Sequence, residues 1–224
     1  MPLALVIGAS RGIGLELVRQ YRADGWAVVG TARDEKGLER LRALGAEALT
    51  LDVNAPQAPQ QLERALGTRA LDVAILSAGV YGPRTEGLEP PDEETFLHVM
   101  RTNVLSAMRI APRLLSALER GKGRFAMLSS RMGAIGPRRS SFGWLYRASK
   151  AARNSVLKDV ALQAGRRGIC CVALYPGWVR TDMGGKDADI DVETSVAGLR
   201  RTLAGVDASQ NGLFLAYDGG TIPW

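Results

Sequence analysis

The sequence predicts an α/β fold in which helices cover both faces of a doubly wound parallel sheet of about seven strands. Two observations carry this prediction. Short apolar runs recur along the 224 residues, and the stretches between them have the spacing of amphipathic helices. A glycine-rich turn directly follows the first apolar run, as at the opening of a strand-helix-strand unit.

Seven apolar segments have the length of buried strands. They span residues 3–7, 26–31, 47–51, 71–76, 123–129, 168–174 and 213–217. Between the fourth and the fifth, apolar residues recur at intervals of three or four, which predicts a helix that packs on the sheet. They are Phe96, Met100, Val104, Met108, Ala111 and Leu115. The alternation of strands and helices favours parallel pairing, and the length suits a single domain over residues 1–224.

The glycine-rich turn has the sequence GASRGIG over residues 8–14 and precedes a helical segment with apolar residues at Leu17, Val18 and Tyr21. Glycines let a pyrophosphate approach the backbone. A helix N-terminus adds unpaired N–H groups and the positive end of its dipole. The turn therefore indicates a dinucleotide site, with a plain tight turn as the alternative.

Tyr146 and Lys150 lie four residues apart and so share one face of a predicted helix. A phenol has an ordinary pKa of about 10 and is a poor proton donor or acceptor at neutral pH. A neighbouring ammonium stabilises the phenolate and lowers that pKa. The pair therefore has the chemistry of a tuned acid/base, although two solvated side chains would give the same spacing.

These features together resemble the short-chain dehydrogenase/reductase family, whose motifs occur here in the family's order. The matching segments are residues 8–14, Asp52-Val53, Ser77-Ala78-Gly79, Asn103, Ser129-Ser130, Tyr146 with Lys150, and Pro176 to Thr181. Residues 129–133, 177–185 and 217–224 are similar to the bacterial C-factor and sniffer-like carbonyl reductases. The resemblance implies a single NAD(P)-binding domain of Rossmann type. It also implies hydride transfer between a nicotinamide and a carbonyl or alcohol carbon of a small substrate.

The resemblance also implies a set of residues that contact the cofactor. They are Gly8, Ser10, Arg11, Gly12, Ile13, Gly14, Arg33, Asp52, Val53, Ser77, Ala78, Gly79, Tyr146, Lys150, Pro176, Gly177, Val179 and Thr181. Ser77 stands where the family pattern has asparagine, and Ile7 precedes the first glycine in place of threonine.

The catalytic roles carried over from the family fall on four residues. Tyr146 is the expected proton donor, and Lys150 lowers its pKa and holds the nicotinamide ribose hydroxyls. Ser130 donates a hydrogen bond to the substrate oxygen. Ser129 is adjacent, and only one of the two serines can face the site. Asn103 is expected to order a water beside Lys150, with a packed polar residue of a helix as the alternative.

The end of the second predicted strand indicates NADP(H) rather than NAD(H). NAD sites place a carboxylate there to bind the ribose hydroxyl, whereas this strand is followed by Arg33, and Arg11 lies in the glycine turn. Two guanidinium groups suit a 2′-phosphate. Asp34 follows and is interpreted as the N-cap of the next helix.

Composition argues against several other functions. The net charge is +6, but the arginines are scattered and only 6% of residues are aromatic, so nucleic-acid binding is not expected. The single histidine, His98, is expected to pack within its helix, which argues against a metal site. Cys170 and Cys171 are expected to be buried free thiols on opposite faces of a strand.

Location and assembly are further expectations. The sequence shows neither a signal peptide nor a membrane-spanning run, so a cytoplasmic protein is expected, with no membrane contact. Ala148, Ala151 and Ala152 would let two copies of the Tyr146 helix approach closely, which favours a homodimer or homotetramer. The alternative is that these alanines pack on the sheet.

A different functional class remains open from the sequence alone. The resemblance to C-factor allows an NAD(P)-binding signalling or regulatory protein with little turnover. The intact Ser130, Tyr146 and Lys150 favour the enzyme, because a pure binding module has no need of a tuned phenol.

Overall fold

The computed structural model describes residues 1–224 and contains one sheet of seven strands, all parallel. The strands are β1 (Leu3–Ile7), β2 (Ala27–Ala32), β3 (Glu47–Thr50), β4 (Val73–Leu76), β5 (Arg124–Leu128), β6 (Cys170–Tyr175) and β7 (Phe214–Ala216). Their order across the sheet is β3-β2-β1-β4-β5-β6-β7. The predicted fold class is confirmed, and each predicted strand overlaps an observed one.

Seven α-helices connect these strands. They are α1 (Gly12–Ala23), α2 (Glu35–Ala43), α3 (Ala58–Leu66), α4 (Glu93–Met100), α5 (Ser106–Gly121), α6 (Trp144–Gly165) and α7 (Val192–Gly205). A π-helical turn, Arg101–Leu105, joins α4 to α5, and a short 3₁₀ turn, Arg131–Gly133, follows β5. None of the helices is both long enough and apolar enough to cross a lipid bilayer.

Two apolar layers form because successive strand residues point to opposite faces of the sheet. In β1, Leu5 and Ile7 pack with α3, α5 and α6, while Ala4 and Val6 pack with α1, α2 and α7. The adjacent cysteines follow the same rule. Cys171 is buried in the first layer, and Cys170 is half-buried against the second.

The predicted apolar stripe of the α4–α5 segment is only partly buried. Val104 and Ala111 are buried, but Phe96 and Met108 are 44% and 54% exposed. The first four members of the stripe are four residues apart, and each such step advances about 40° around a helix, so this part of the stripe leaves the buried face. The residues of α5 that pack in the core are Ala107, Ile110, Ala111, Leu114, Ala117 and Leu118.

The expected packing role of His98 is wrong, since its side chain is exposed. It lies on the outer side of α4, one residue before the buried Val99, in a shallow surface groove beside Asn54 and Arg101. The apolar neighbours that suggested a packed histidine in the sequence flank it along the chain, but Phe96 and Leu97 are themselves exposed.

The order of the strands fixes where a ligand can bind. The chain builds β1, β2 and β3 outward and then returns to the centre, so that β4 lies on the other side of β1. At such a switch point the loops after neighbouring strands diverge to opposite faces and leave a crevice at the carboxyl edge. The loops after β1 and β4, residues 8–11 and 77–92, flank this crevice.

Candidate active site

The glycine turn after β1 is packed too tightly to carry side chains. A Cβ on Gly14 would lie 2.1 Å from the Gly8 carbonyl oxygen, and one on Gly8 would lie 2.7 Å from the backbone of Ala78. Gly8 also has φ +85°, which L side chains rarely adopt. The N–H groups of Gly12 and Ile13, at the N-terminus of α1, make no hydrogen bond within the protein. Free donors on a close-approach backbone fit a pyrophosphate.

The segment after β6 forms the opposite wall of the groove. Gly177 has φ +89°, and Val179 is buried and pairs with Ile190 through a parallel bridge. The chain then returns over the glycine turn, where the Thr181 methyl group lies 3.5 Å from the position of a Cβ on Gly12. Among the predicted cofactor residues of this wall, Thr181 therefore lies directly across from the turn. Pro176 contributes its carbonyl oxygen to the Ser195 hydroxyl at 2.6 Å.

The two arginines predicted to select the 2′-phosphate do not contact the same residues. Arg11 and Arg33 are both exposed. The Arg11 guanidinium forms an ion pair with Asp182 at 3.2 Å, across the groove. Asp34 caps α2 by accepting a hydrogen bond from Gly37 N at 2.7 Å, as interpreted from the sequence. Its carboxylate is thus engaged with a helix end rather than with a ribose.

A third arginine on this side was not singled out in the sequence. Arg40, on α2, donates a hydrogen bond to the Ser10 carbonyl oxygen at 3.1 Å and so lies beside the glycine turn. Its position, seven residues after Arg33, gave no signal, because charged residues on an exposed helix face are ordinary. The Arg40 side chain comes close to Ser10 only when α2 packs against β2 and β3.

The Asp52-Val53 pair follows β3 as the resemblance implies. Asp52 is exposed and accepts a hydrogen bond from the Asn54 N–H at 3.0 Å, which forms a local turn. The Val53 side chain is buried in the core layer of α3 and α5. Asp52 thus presents a polar side chain at the edge of the sheet, and Val53 anchors the turn in the core.

The turn after β4 joins the cofactor groove to the catalytic residues. Ser77 and Ala78 both donate backbone hydrogen bonds to the Ile7 carbonyl oxygen at 2.9 Å, which ties the turn to the end of β1. A Cβ on Gly79 would lie 3.6 Å from Lys150 Nζ. At Gly79 the backbone of the turn after β4 therefore lies next to the Lys150 ammonium at the edge of the cofactor groove.

Asn103 lies in the π-helical turn and is fully buried. Its side-chain oxygen accepts from Val80 N at 2.9 Å, and its amide donates to the Val80 carbonyl oxygen at 2.8 Å and to Ser149 Oγ at 2.9 Å. The side chain thus clamps the segment after β4 against α6. Its main-chain carbonyl oxygen accepts from Arg153 at 3.2 Å, which is a partner that the sequence did not predict.

The proposed acid/base lies at the buried start of α6. Tyr146 is 7% exposed and Lys150 is 5% exposed, and the Lys150 ammonium lies 5.4 Å from the centre of the Tyr146 ring. Lys150 Nζ donates to the Leu128 carbonyl oxygen at 3.1 Å, at the end of β5. The one-turn spacing therefore places both side chains on the same inner face of the helix, as predicted.

Burial changes the expected titration of this pair. The pKa of Tyr146 is raised to about 12, because burial penalises the phenolate more than the neighbouring Ser130 side chain and the Arg153 charge favour it. Burial lowers the pKa of Lys150 well below its ordinary value, and Arg153 lowers it further. The sequence predicts a lowered phenol pKa, and the net direction is the opposite, since desolvation outweighs the neighbouring charge.

The two serines after β5 divide their roles. The Ser129 hydroxyl is buried and donates to Asn154 Oδ1 at 2.5 Å, which ties β5 to α6. The Ser130 hydroxyl accepts a hydrogen bond from Met132 N at 3.1 Å, capping the 3₁₀ turn, and Ser130 lowers the pKa of Tyr146. Ser130 is therefore the serine beside the phenol.

Two further side chains of the site were missed in the sequence. The Tyr81 ring stacks on the Tyr146 ring with centroids 4.4 Å apart and an angle of 18°. Arg153 is fully buried on α6 and acts on both Tyr146 and Lys150. Arg153 is seven residues after Tyr146, so its position on the same helix face could have been read from the sequence. The stacking of Tyr81 depends on the path of the 79–91 loop.

Comparisons with known proteins agree with this architecture. A model of the short chain dehydrogenase family matches residues 2–190. The chain is 34% identical over 158 residues to C-signal from Myxococcus xanthus, which covers 70% of this chain and 95% of that protein.

Solved structures match over the whole chain. A carbonyl reductase from Pseudomonas aeruginosa in complex with NADP is 33% identical, covers 100% of both chains and has a TM-score of 0.88. The carbonyl reductase Sniffer of Drosophila melanogaster is 27% identical, covers 100% of this chain and 99% of that chain, and has a TM-score of 0.90.

Proposed function

The chain belongs to the short-chain dehydrogenase family and is an oxidoreductase, and we propose that it is an NADPH-dependent carbonyl reductase with Tyr146 as acid/base. The observation that carries the proposal is the grouping of three side chains at one end of the groove. Lys150 Nζ lies 5.4 Å from the centre of the Tyr146 ring and 3.6 Å from the position of a Cβ on Gly79, and Ser130 acts on the Tyr146 phenol.

NADP(H) is the cofactor that fits this groove. The free N–H groups of Gly12 and Ile13 and the close-packed glycines suit its pyrophosphate. Arg33 follows β2 where an NAD site places a carboxylate, and the Asp34 carboxylate is engaged as a helix cap. The carbonyl reductase from Pseudomonas aeruginosa, at 33% identity, was solved with NADP. When bound, NADPH supplies the hydride for the carbonyl carbon.

The chain's own residues then manage the oxygen of the substrate. The Ser130 hydroxyl donates a hydrogen bond to that oxygen and fixes its position next to the phenol. Tyr146 gives its proton to the oxygen as negative charge develops there. A pKa of about 12 keeps Tyr146 protonated at neutral pH, which suits reduction. Lys150, held by the Leu128 carbonyl oxygen, lies where it can bind ribose hydroxyls near Gly79.

The wall beside Tyr146 indicates an aromatic or other flat carbonyl substrate. Tyr81 covers the Tyr146 ring, and Met132 Sδ lies 3.8 Å from the Tyr81 hydroxyl. Trp178 and Met183, in the segment after β6, are 47% and 41% exposed. These surfaces contact apolar groups well and carry few fixed hydrogen-bond partners, so several carbonyl compounds should be accepted.

The test is a cofactor titration followed by a turnover screen. NADPH and NADH binding is measured by fluorescence, and NADPH oxidation is then followed with a panel of aromatic aldehydes, ketones and quinones. NADPH binding with turnover supports the reductase. The similarity to C-signal favours one other function, a signalling protein that binds NAD(P). Tight NADPH binding without turnover on any panel member would support that second function and contradict the first.

We also propose that the chain assembles as a homodimer or homotetramer through the outer face of α6. Ala148 is exposed there, whereas Ala152 packs on the core layer and does not contribute. Leu162, further along the same helix, is 59% exposed. Light scattering at micromolar concentration should give a multiple of the 24.0 kDa chain mass. A single-chain mass that is unchanged on concentrating the protein would refute the proposal.

A further inference from the structure

The chain around the catalytic serine and tyrosine carries charge of one sign only. Every charged side chain between Glu119 and Asp159 is basic. Four arginines of this stretch lie close to the catalytic residues along the chain and take part in none of the ion pairs of the structure. They are Arg131, Arg138, Arg139 and Arg147. A surface with one sign of charge and no internal counter-charge attracts an anionic ligand.

Arg84, in the loop after β4, brings a further guanidinium to the same part of the site. Its guanidinium carbon lies 4.9 Å from the centre of the Tyr81 ring, and that ring stacks on the Tyr146 ring at 4.4 Å. One terminal nitrogen of Arg84 donates to the Met183 carbonyl oxygen at 2.6 Å. The side chain is exposed, and its other N–H groups make no hydrogen bond within the protein. Two short contacts thus separate this guanidinium from the proposed proton donor.

The Gly143 peptide brings Arg84 and Arg147 close to each other. The Gly143 N–H donates to the carbonyl oxygen of Thr85, the residue after Arg84, at 2.9 Å. The Gly143 carbonyl oxygen accepts from the Arg147 N–H at 3.0 Å. A Cβ on Gly143 would lie 2.5 Å from the Tyr81 hydroxyl. Both arginines therefore belong to the chain segments that meet at the ring covering the phenol.

The half-buried Arg147 side chain also keeps donors free. Its Nε donates to the Phe142 carbonyl oxygen at 2.8 Å, whereas its two terminal nitrogens make no hydrogen bond within the protein. The Phe142 ring lies 6.4 Å from the Tyr81 ring. Burial lowers the pKa of Arg147, and the charge of Arg138 lowers it further, as expected where guanidinium groups lie close together. A bound anion would relieve that repulsion.

No carboxylate of the protein pairs with Arg84 or Arg147. Glu86 and Glu89 belong to the same loop as Arg84, but both are exposed and form no ion pair. In the segment after β6, Asp182 is the neighbour of Met183, and it is paired with Arg11. The free donors of the two arginines are therefore available to a ligand.

We propose that the substrate is a carbonyl compound with an acidic group, a carboxylate or a phosphate, and that Arg84 and Arg147 bind this group while the carbonyl oxygen lies at Tyr146. The proposal rests on the proposed function and narrows its substrate class. Guanidinium groups bind both anions through paired N–H donors, and such bonds are stronger than those between neutral groups. The partly exposed Trp178 and Met183 remain for the apolar body of the substrate.

The experiment compares aldehydes that differ in charge. Rates of NADPH oxidation give kcat/KM for p-formylbenzoate and for its neutral methyl ester. A second pair, p-formylphenyl phosphate and p-methoxybenzaldehyde, tests the phosphate. At least one acid should exceed its neutral partner by roughly tenfold, and the pair that does so identifies the anion. The advantage should shrink in high salt, because salt screens exposed charges.

Arginine variants separate recognition of the anion from support of the loops. Arg84→Gln and Arg147→Gln should each lower kcat/KM for the preferred acid by roughly three- to tenfold and leave its neutral partner unchanged. Arg64→Gln is the matched control, because Arg64 is an exposed arginine of α3 that forms no ion pair. It lowers the net charge equally and should change neither rate. Equal losses for acid and neutral partner in both site variants would mean that the arginines only hold the loops, and would overturn the proposal.

A binding measurement keeps the proposal independent of turnover. The compounds p-methylbenzoate and p-methylphenyl phosphate lack the aldehyde, and p-methylbenzamide is their neutral counterpart. Calorimetry with the NADPH-loaded protein should show roughly tenfold tighter binding of the acid of the preferred class, and Arg84→Gln and Arg147→Gln should each reduce it. Turnover without preference for either acid overturns the acidic substrate and leaves the reductase in place. Binding of the acid without turnover of any aldehyde, ketone or quinone rejects the reductase and supports the anion site.

Discussion

The two halves of the sheet's carboxyl edge treat charge in opposite ways. In the cofactor half, at the ends of β1 and β2, the donors are the free backbone N–H groups of α1, on half-buried residues, and the exposed side chains of Arg11 and Arg33. In the catalytic half, at the ends of β4 and β5, Tyr146, Lys150 and Arg153 are all buried. The cofactor half can bind an anion without a large desolvation free energy for its own groups. In the catalytic half, desolvation sets the protonation states of the buried groups.

The difference in burial implies that the two halves recognise their ligands in different ways. A solvated groove recognises a phosphate through geometry and charge, and each of its contacts can be removed by mutation without changing the others. A buried site couples its groups, because the charge on Arg153 acts on both Tyr146 and Lys150. Changes in the catalytic half should therefore have large and non-additive effects. Changes in the cofactor half should be smaller and separable.

The largest effect is expected from Tyr146→Phe in the catalytic half. The change removes the hydroxyl that donates the proton and keeps the stacked ring, so turnover should fall by at least ~10²-fold. NADPH affinity should change little. Steady-state kinetics and a fluorescence titration measure the two quantities.

Tyr21→Phe is the matched control for this prediction. Tyr21 is also a buried phenol, but it lies on α1, in the other core layer, next to Trp26 and Arg200. Its substitution should leave turnover unchanged. Near-normal turnover in folded Tyr146→Phe would remove Tyr146 from the reaction.

The sequence predicted the two halves unequally. The sequence predicted the glycine turn, the strands and the one-turn spacing of Tyr146 and Lys150. These features depend on local periodicity and on backbone positions that only glycine can occupy. The sign of the Tyr146 pKa shift was not predictable, because desolvation depends on how α6 packs against β5 and the 79–91 loop. The exposed His98 was mispredicted for the same reason: neighbours in sequence do not reveal which side of a helix faces the core.

The next effect tests whether the cofactor half selects NADPH by its arginines. Alanine at both Arg11 and Arg33 should weaken NADPH binding, with each lost charge-assisted contact costing roughly 1–3 kcal/mol. NADH lacks the 2′-phosphate, so its affinity should change little. Arg113→Ala, on α5, provides a control for loss of surface charge. Equal losses for NADPH and NADH would show that Arg11 and Arg33 do not read the phosphate.

Gly14→Ala probes the close-packed backbone of the cofactor half. The added Cβ would lie 2.1 Å from the Gly8 carbonyl oxygen, so the turn must open. Overpacking of this kind costs roughly 1–3 kcal/mol of folding free energy, and NADPH binding should weaken with it. Thermal unfolding and a cofactor titration measure both. Gly136→Ala, where a Cβ meets nothing within 4 Å, is the control. An unchanged cofactor affinity in Gly14→Ala would contradict the placement of the pyrophosphate.

The smallest effect concerns the ion pair that spans the groove. Arg11 and Asp182 are 3.2 Å apart with side chains 70% and 76% exposed, so the pair contributes at most about 1 kcal/mol. If Arg11 leaves Asp182 to bind a 2′-phosphate, Asp182→Ala removes a competitor and should tighten NADPH binding by up to a few-fold, with NADH unaffected. Asp187→Ala removes an exposed carboxylate of the same segment that forms no ion pair, and it controls for net charge. A different outcome, equal weakening of both cofactors in Asp182→Ala alone, would mean that the pair holds the segment after β6 over the groove. The cofactor half would then share the coupling that marks the catalytic half.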